Sequence, residues 1–445
     1  MSYTIAIDQL NAMAPELHTG AGQKRRKFSL DEIRTLLGAL GNPQREFGSV
    51  LIAGTNGKGS TAATLASILT ASGLRTGLYT SPHLVRANER IRIGRSEIED
   101  DDFARIYFCV HDTAVRLVMS GELPQMSSYF EILTAQALVY FAEVKAEVAV
   151  LEVGMGGRLD ATNVVDPLLS VITDISLDHM DWLGSTISAI AREKAGILRE
   201  GGTMVTLPQH PEANQVLGEV ATELEVRGVS ATQYMPASEA TGSYTVEALG
   251  ATVKVDSPLK GAHQQRNVAL AIAAAEELAT RHGFAVSPAA VEEGIRRTQW
   301  PGRLERMTRG GVEWVLDVAH NPAGAWALRA GLRGTLEERA PRILIFSCLR
   351  DKPLAEMAQI LFPLFERVIV TPIHAARAAA VEDLLAAAKA TGTAATAAET
   401  VREALRVAQE NAAGGVVVVS GSVYLVGEAR AMLLGEFAAG KSETR

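Results

Sequence analysis

The chain has 445 residues, more than one ordinary hydrophobic core holds, so two domains are expected. Hydrophobic residues make up 47% and charged residues 21%, a globular balance that argues against disorder. Lys and Arg total 43 against 51 Asp and Glu, a net charge of −8 that argues against nucleic acid as the main partner.

The first residues, MSYTIAIDQL, place no basic flank before an apolar stretch, so no signal peptide is expected. No apolar run approaches the roughly 20 residues that cross a bilayer, so no membrane role is expected. Only Cys109 and Cys348 occur, too few for a disulfide framework, which suits the reducing cytoplasm. SVLIAG (49–54), EVAVLEVG (147–154) and LLSVITDI (168–175) are apolar throughout rather than alternating, as strands buried on both faces are. Between them, STAATLASILTASG (60–73) and YFEILTAQALVYFAEV (129–144) repeat apolar residues at helical spacing. SYTVEALGATVKVD (243–256) alternates around a glycine, the pattern of a hairpin. A second strand–helix series runs through EWVLDVAHNPAG (313–324), RILIFSC (342–348), RVIVTP (367–372) and GGVVVVSGS (414–422). TQWPGR (298–303) is the expected linker, giving domains 1–299 and 300–445. The Ala-rich stretch 385–408 is expected to be helical. Strands separated by helices imply α/β domains with parallel sheets. No sequence feature signals an assembly surface, so a monomer is expected.

LIAGTNGKGST (51–61) carries the first chemistry. A buried strand feeding a glycine-rich turn into a helix gathers free backbone N–H groups at the positive end of the helix dipole, an anion cradle. Lys58 would neutralise outer phosphates, and Ser60 or Thr61 could touch Mg²⁺. The spacing differs from G-x-x-x-x-G-K-[ST], because Gly59 separates Lys58 from Ser60. The plain alternative is a glycine-rich strand–helix turn with no ligand.

GTNGKGS resembles the ATP loop of the Mur-type amide ligases, and further motifs resemble their folate branch, the folylpolyglutamate and dihydrofolate synthases. These are SPHLVRANERIRI (81–93), YFE (129–131), LEVGMGGRLDATN (151–163), LDHMDWLG (177–184), REKAGILR (192–199), GAHQQRN (261–267), WPGR (300–303) and LDVAHNP (316–322). The resemblance spans roughly residues 48 to 425, with the motifs in order. It implies a P-loop nucleotide-binding N-terminal domain with a parallel sheet, a smaller Rossmann-like C-terminal domain, and an active site in the cleft between them. The implied reaction is ATP-dependent addition of L-glutamate to dihydropteroate or a reduced folate, through an acyl phosphate.

Residue by residue, the resemblance implies that Gly54, Thr55, Asn56, Gly57, Lys58, Gly59 and Ser60 hold the phosphates of ATP. It assigns Asn267 to the adenine, Arg303 to the phosphates and Asp317 to the ribose. His320 falls near the incoming glutamate or the acyl phosphate. Ser81, Glu152 and His179 are assigned to Mg²⁺, and a carbamylated Lys194 to a second Mg²⁺. Oxygen ligands suit Mg²⁺, and a carbamate supplies oxygens that an ammonium cannot. Without the resemblance, Glu152 could be an ion-pair partner, His179 a structural histidine at a helix cap, and Lys194 a helix-surface lysine.

For the folate-type acceptor the matching positions are Ser128, Tyr129, Phe130, Glu131, Leu159, Asp160 and Ala161. Phe130 could stack on a flat heterocycle and Asp160 could accept from its N–H groups; core packing is the plain reading of Phe130. Arg303 could instead form a surface ion pair, and Asp317 could be a helix cap. GQKRRKFSLDEI (22–33) departs from the family's substrate-loop segment, and its basic run 24–27 reads either as a solvated face or as a contact for a polyanionic glutamate tail. A muropeptide ligase would need a further N-terminal domain, for which the 48 or so residues before the loop are too few. A non-ligase ATP switch needs no DVAHNP turn, and a dehydrogenase would need a G-x-G-x-x-G after a strand.

Overall fold

The computed structural model describes residues 2–13, 29–237 and 242–435. The basic run 24–27 lies outside them. The chain divides into two compact units, the first comprising Met1–Pro82, Ala87–Pro258 and Gln264–Gln299, the second His83–Arg86, Leu259–His263 and Trp300–Arg445. Two short segments that precede Trp300 thus belong with the C-terminal unit.

The first unit is built on β1 (Gly48–Ala53), β2 (Thr76–Tyr79), β3 (Ile91–Ile93), β4 (Ser96–Glu97), β5 (Val148–Glu152), β6 (Leu169–Ile172), β7 (Thr203–Thr206) and β8 (Arg227–Ser230). They form one sheet in the order β4-β3-β2-β5-β1-β6-β7-β8. The pairings from β2 to β8 are parallel, whereas β3 and β4 add antiparallel at one edge. β1 shows why the central strands are apolar at every position. Val50 and Ile52 enter one hydrophobic cluster while Leu51 and Ala53 enter another. Both faces of the strand are therefore buried, as helices covering a parallel sheet require. A separate antiparallel hairpin pairs β9 (Tyr244–Ala248) with β10 (Ala251–Val255).

The helix Pro288–Arg296 crosses the phosphate-loop helix Lys58–Ala71 at very short range. A Cβ on Gly294 would stand 2.3 Å from the Ile68 Cα, so only a glycine lets the backbones meet. Ser67 Oγ donates to the Gly294 carbonyl at 2.7 Å and fixes the register.

The second unit holds β11 (Glu305–Arg309), β12 (Val312–Asp317), β13 (Arg342–Phe346), β14 (Arg367–Val370), β15 (Ala395–Ala397) and β16 (Val416–Ser420), in the order β11-β12-β16-β13-β14-β15. β11 pairs antiparallel with β12, and the rest are parallel. The chain moves outward from β12 through β15 and then returns, inserting β16 between β12 and β13. Such a reversal opens a crevice at the carboxyl ends of the strands, the usual ligand position in open α/β sheets.

The continuous helix expected over 385–408 is corrected. A helix Val381–Ala390 stops, β15 follows, and a new helix starts at Val401. Gly392 at φ +69° ends the first helix, a conformation that glycine adopts without strain. Thr400 caps the second, accepting from the Glu403 N–H. The expected parallel sheets are present, and β3, β4 and β11 add to them antiparallel at or near a sheet edge.

Candidate active site

β1 ends at Ala53 and the chain bends through Gly54–Gly57 into the helix Lys58–Ala71. Gly54 (φ +152°) and Gly57 (φ +92°) both take backbone conformations suited to glycine. Space demands glycine as well. A Cβ on Gly54 would sit 1.8 Å from Thr173 Oγ1, and one on Gly57 would sit 2.2 Å from Asn267 Oδ1. The loop is stitched to the segment after β6, where Thr55 N–H and Asn56 N–H donate to the Asp174 carbonyl at 2.8 and 3.1 Å. Thr55 Oγ1 donates to the Ser176 carbonyl and accepts from the Ser176 N–H.

Two ammonium groups converge on one oxygen in this bend. Lys58 Nζ donates to the Gly54 carbonyl at 3.1 Å, and Lys194 Nζ donates to the same carbonyl at 2.7 Å. The surface reading of Lys194 is therefore corrected: it is 3% exposed. Burial pushes its ammonium down to about 7, and the charge of Lys58 pushes the same way. The helix Ile187–Ala195 can deliver it because Gly157 lies against the carbonyls of Glu193 and Lys194, where a Cβ would be 2.8 and 3.0 Å away. At the start of the Lys58–Ala71 helix, Ser60 Oγ and Thr61 Oγ1 are buried with no hydrogen-bond partner among the described residues. Buried hydroxyls left this way are uncommon, and here they mark a polar site open to a ligand or ion.

Glu152 is the last residue of β5, and its Oε2 accepts from the Ser81 N–H at 3.1 Å. His179 lies beyond its strand: β6 ends at Ile172, and His179 precedes the short helix Met180–Leu183 at φ +49°. Its N–H donates to Asp178 Oδ1 at 2.8 Å. Among the described residues no three His, Cys, Asp or Glu side chains converge as a metal site. The Ser60 and Thr61 hydroxyls and the Glu152 carboxylate are each oxygen donors, the ligand type that Mg²⁺ prefers.

Ser128 and Glu131 form a capping box for the helix Tyr129–Glu143, each side chain bonding the other's backbone N–H. Phe130 is buried against the Gly154 backbone and lies 5.9 Å from the Tyr79 ring, so it helps to build the core. Tyr129 carries the guanidinium of the buried Arg90 over its ring at 5.4 Å. Asp160 accepts from Thr162 Oγ1 at 2.6 Å and from the Thr162 and Met155 N–H groups. Burial raises its carboxyl above the usual range, against the pull of those bonds. Leu159 is half-buried and Ala161 buried beside it.

Asn267 and Gln264 occupy one helix in the first unit, the Asn267 amide donating to Gln264 Oε1 at 2.9 Å. In the second unit Asp317 ends β12 and accepts from the Leu304 and Ala319 N–H groups, both at 2.9 Å. Burial raises its carboxyl, and the charges of Arg303 and His263 oppose that rise. His320 Nδ1 lies 2.8 Å from the Val318 carbonyl, which fixes the ring in the turn before the helix Pro322–Glu338.

Residues 52–275 match the Mur ligase middle domain, and residues 302–423 match the Mur ligase, glutamate ligase domain. The chain is 34% identical to the folylpolyglutamate synthase of Lacticaseibacillus casei, over 98% of this chain and 99% of that protein. It is 33% identical to the dihydrofolate synthase/folylpolyglutamate synthase of Bacillus subtilis, over 92% and 95%. The chain belongs to the folylpolyglutamate synthase/dihydrofolate synthase family of Mur ligases. Its fold superposes on a Mycobacterium tuberculosis folylpolyglutamate synthase complexed with ADP, with a TM-score of 0.86 at 34% identity, covering 97% of this chain and 98% of that one.

Sequence reasoning missed several groups around this family's nucleotide loop. Thr173 wedges against Gly54, and Asp174 holds the loop through its carbonyl while its carboxylate pairs with Arg266 at 2.6 Å. Arg266 immediately precedes Asn267 in the GAHQQRN motif, the one signal available. In the second unit Ser347 and Ser420 are buried with unpartnered hydroxyls among the described residues. Ser420 ends β16 in register between Asp317 of β12 and Phe346 of β13, at the crevice of the strand reversal. Nothing in GGVVVVSGS distinguishes it from any strand-ending serine.

Proposed function

We propose that this protein uses ATP to join L-glutamate to the carboxylate of a folate-type acceptor, dihydropteroate, a reduced folate, or both. The observation that carries this reading is the bend in which Lys58 and Lys194 donate to one Gly54 carbonyl above the buried hydroxyls of Ser60 and Thr61. Lys58 there supplies a cation for the outer phosphates, and a phosphate oxygen or its metal ion would engage the two hydroxyls. The ADP complex of the M. tuberculosis relative supports the choice of nucleotide.

Residues 54–60 then grip the phosphates, with Asn267 toward the adenine, Arg303 toward the phosphates and Asp317 toward the ribose. Arg303 suits phosphate because its planar fork donates two parallel bonds. Ser81, Glu152 and His179, with Ser60 or Thr61, would hold Mg²⁺, which neutralises charge on the phosphoryl group in transfer. Burial favours the neutral amine of Lys194, and a neutral amine reacts with CO₂ to give a carbamate and a proton; that anion would serve a second Mg²⁺. The acceptor lies along Ser128–Glu131 and Leu159–Ala161. Its carboxylate takes the γ-phosphoryl of ATP, ADP leaves, and the amine of glutamate attacks the acyl phosphate. The amide forms as phosphate and a proton depart. His320 faces the incoming glutamate or the acyl phosphate.

The experiment is phosphate release in ATP, Mg²⁺ and glutamate, with dihydropteroate and tetrahydrofolate supplied separately. Release should require glutamate and at least one acceptor. ATP turnover indifferent to both acceptors would overturn the reading.

A further inference from the structure

The second unit carries a groove away from every residue discussed so far. It lies on the outer face of the helix Pro322–Glu338, against the turn Phe362–Leu364, and encloses about 490 Å³. That is the size of a small-molecule site. Trp326 stands in it 56% exposed, which is unusual for so large an apolar ring. The Arg329 guanidinium sits 5.4 Å from the Trp326 ring centroid and donates to the Ile360 carbonyl at 2.9 Å. Among the described residues no carboxylate pairs with Arg329. Arg333 and Arg342 complete the cationic lining, paired with Glu337 at 3.4 Å and Glu366 at 2.7 Å on the solvent side. Exposed pairs of this kind contribute little and exchange readily for a better anion. Three arginines against one glutamate line a groove on a chain whose net charge is −8. Charge of that sign, concentrated against the overall balance, points to an anionic ligand.

We propose that this groove binds an oligo-γ-glutamyl chain, the tail that repeated ligation would lengthen; the proposal rests on the ligase reading above. Such a tail repeats one carboxylate per residue with an apolar two-methylene stretch between. Arg329 and Arg333 lie one helical turn apart, about 6 Å along the axis, and offer planar forks to successive carboxylates. Trp326, Leu336 and Leu364 offer apolar surface to the methylenes. The direction also fits. The helix starts at its Asn321 cap directly after His320, and Trp326 follows about 8 Å along it. In a long tail the terminal carboxylate reacts beside that turn while the residues behind it loop over Trp326 toward Arg329 and Arg333. Dense polyphosphate suits the groove less, because it has no apolar stretch to lay against Trp326, Leu336 and Leu364.

Penta-γ-L-glutamate titrated into the full chain tests this through tryptophan fluorescence. Saturable quenching is expected, absent in Trp326→Phe and about tenfold weaker in Arg329→Gln and Arg333→Gln. In steady-state ligation, the KM for pentaglutamylated tetrahydrofolate divided by the KM for the monoglutamate should rise about tenfold in either arginine variant. Quenching unchanged by both substitutions, or matched by tripolyphosphate at equal concentration, overturns the proposal, as does an unchanged KM ratio. A chain that ligates glutamate to no folate acceptor refutes the ligase reading instead, and the fluorescence titration then still decides the groove.

Discussion

Replacing Gly57 by alanine tests how the phosphate loop is held. Gly57 sits at φ +92° at the start of the Lys58–Ala71 helix, and left-handed backbone costs an L-residue about 1–2 kcal/mol. The new Cβ would lie 2.2 Å from Asn267 Oδ1, so Asn267 must turn aside. Asn267 is buried and its amide bonds Gln264 at 2.9 Å, a bond worth about 1 kcal/mol. Gly57→Ala should therefore lose about 2–3 kcal/mol in urea unfolding of the full chain. Asn267→Ala alone should lose about 1 kcal/mol, having given up the same bond. Because the alanine at 57 has already broken it, the double variant should be no less stable than Gly57→Ala, a coupling of about 1 kcal/mol. Strictly additive losses would mean that loop and asparagine do not press on one another, and the account of why position 57 is glycine would fail.

Lys58→Ala should abolish ATP binding in equilibrium titration, whereas His320→Ala should bind ATP normally and slow amide formation; normal binding by both variants would refute the phosphate-loop assignment. Lys194 is held near pH 7 by burial, below an unfolded value of 10.5, so the unfolded chain binds more protons between those limits and stability rises with pH across that window. In CO₂-free buffer, Lys194→Met should be about 2–4 kcal/mol more stable than the parent at pH 7, after subtracting the lost bond to Gly54. That gain should vanish by about pH 10.5 while ligation is lost, and a gain that did not change with pH would refute the assignment. Gly294→Ala should cost about 3 kcal/mol in thermal unfolding, because the obstructing atoms are the Ile68 backbone and cannot rotate away.

How much of this was legible in the sequence follows from the range of the interactions. The strand–bend–helix at 48–71 was readable because each part has a local cause: apolar residues for two buried faces, glycines for the bend, a helix former beyond. The hairpin at Tyr244–Val255 was readable for the same reason. β15 was not, since three backbone pairings to β14 hold it and Ala395–Ala397 carries no strand pattern. The site residues divide along the same line. Ser128 and Glu131 announce a helix start by their spacing, and the helix forms there. Lys194 announces nothing. REKAG is a surface sequence until Gly157, thirty-odd positions earlier, lets the helix settle close enough to turn its lysine inward.

That burial joins stability to function at one atom. A lysine desolvated beside Lys58 is a poor choice for a stable fold, as its depressed ammonium shows. The chain retains it with its Nζ bonded to the Gly54 carbonyl, in a bend followed by the helix start where the Ser60 and Thr61 hydroxyls lack partners among the described residues. Desolvation and unmet hydrogen-bonding capacity together describe a site completed by groups that the protein alone does not supply. The same logic separates this bend from the groove at Trp326, where the cations are exposed and two of the three are already paired. The first site is strained without its ligand and should bind tightly; the second is not, and should bind weakly and reversibly, as suits a tail that must shift back by one residue before each further addition.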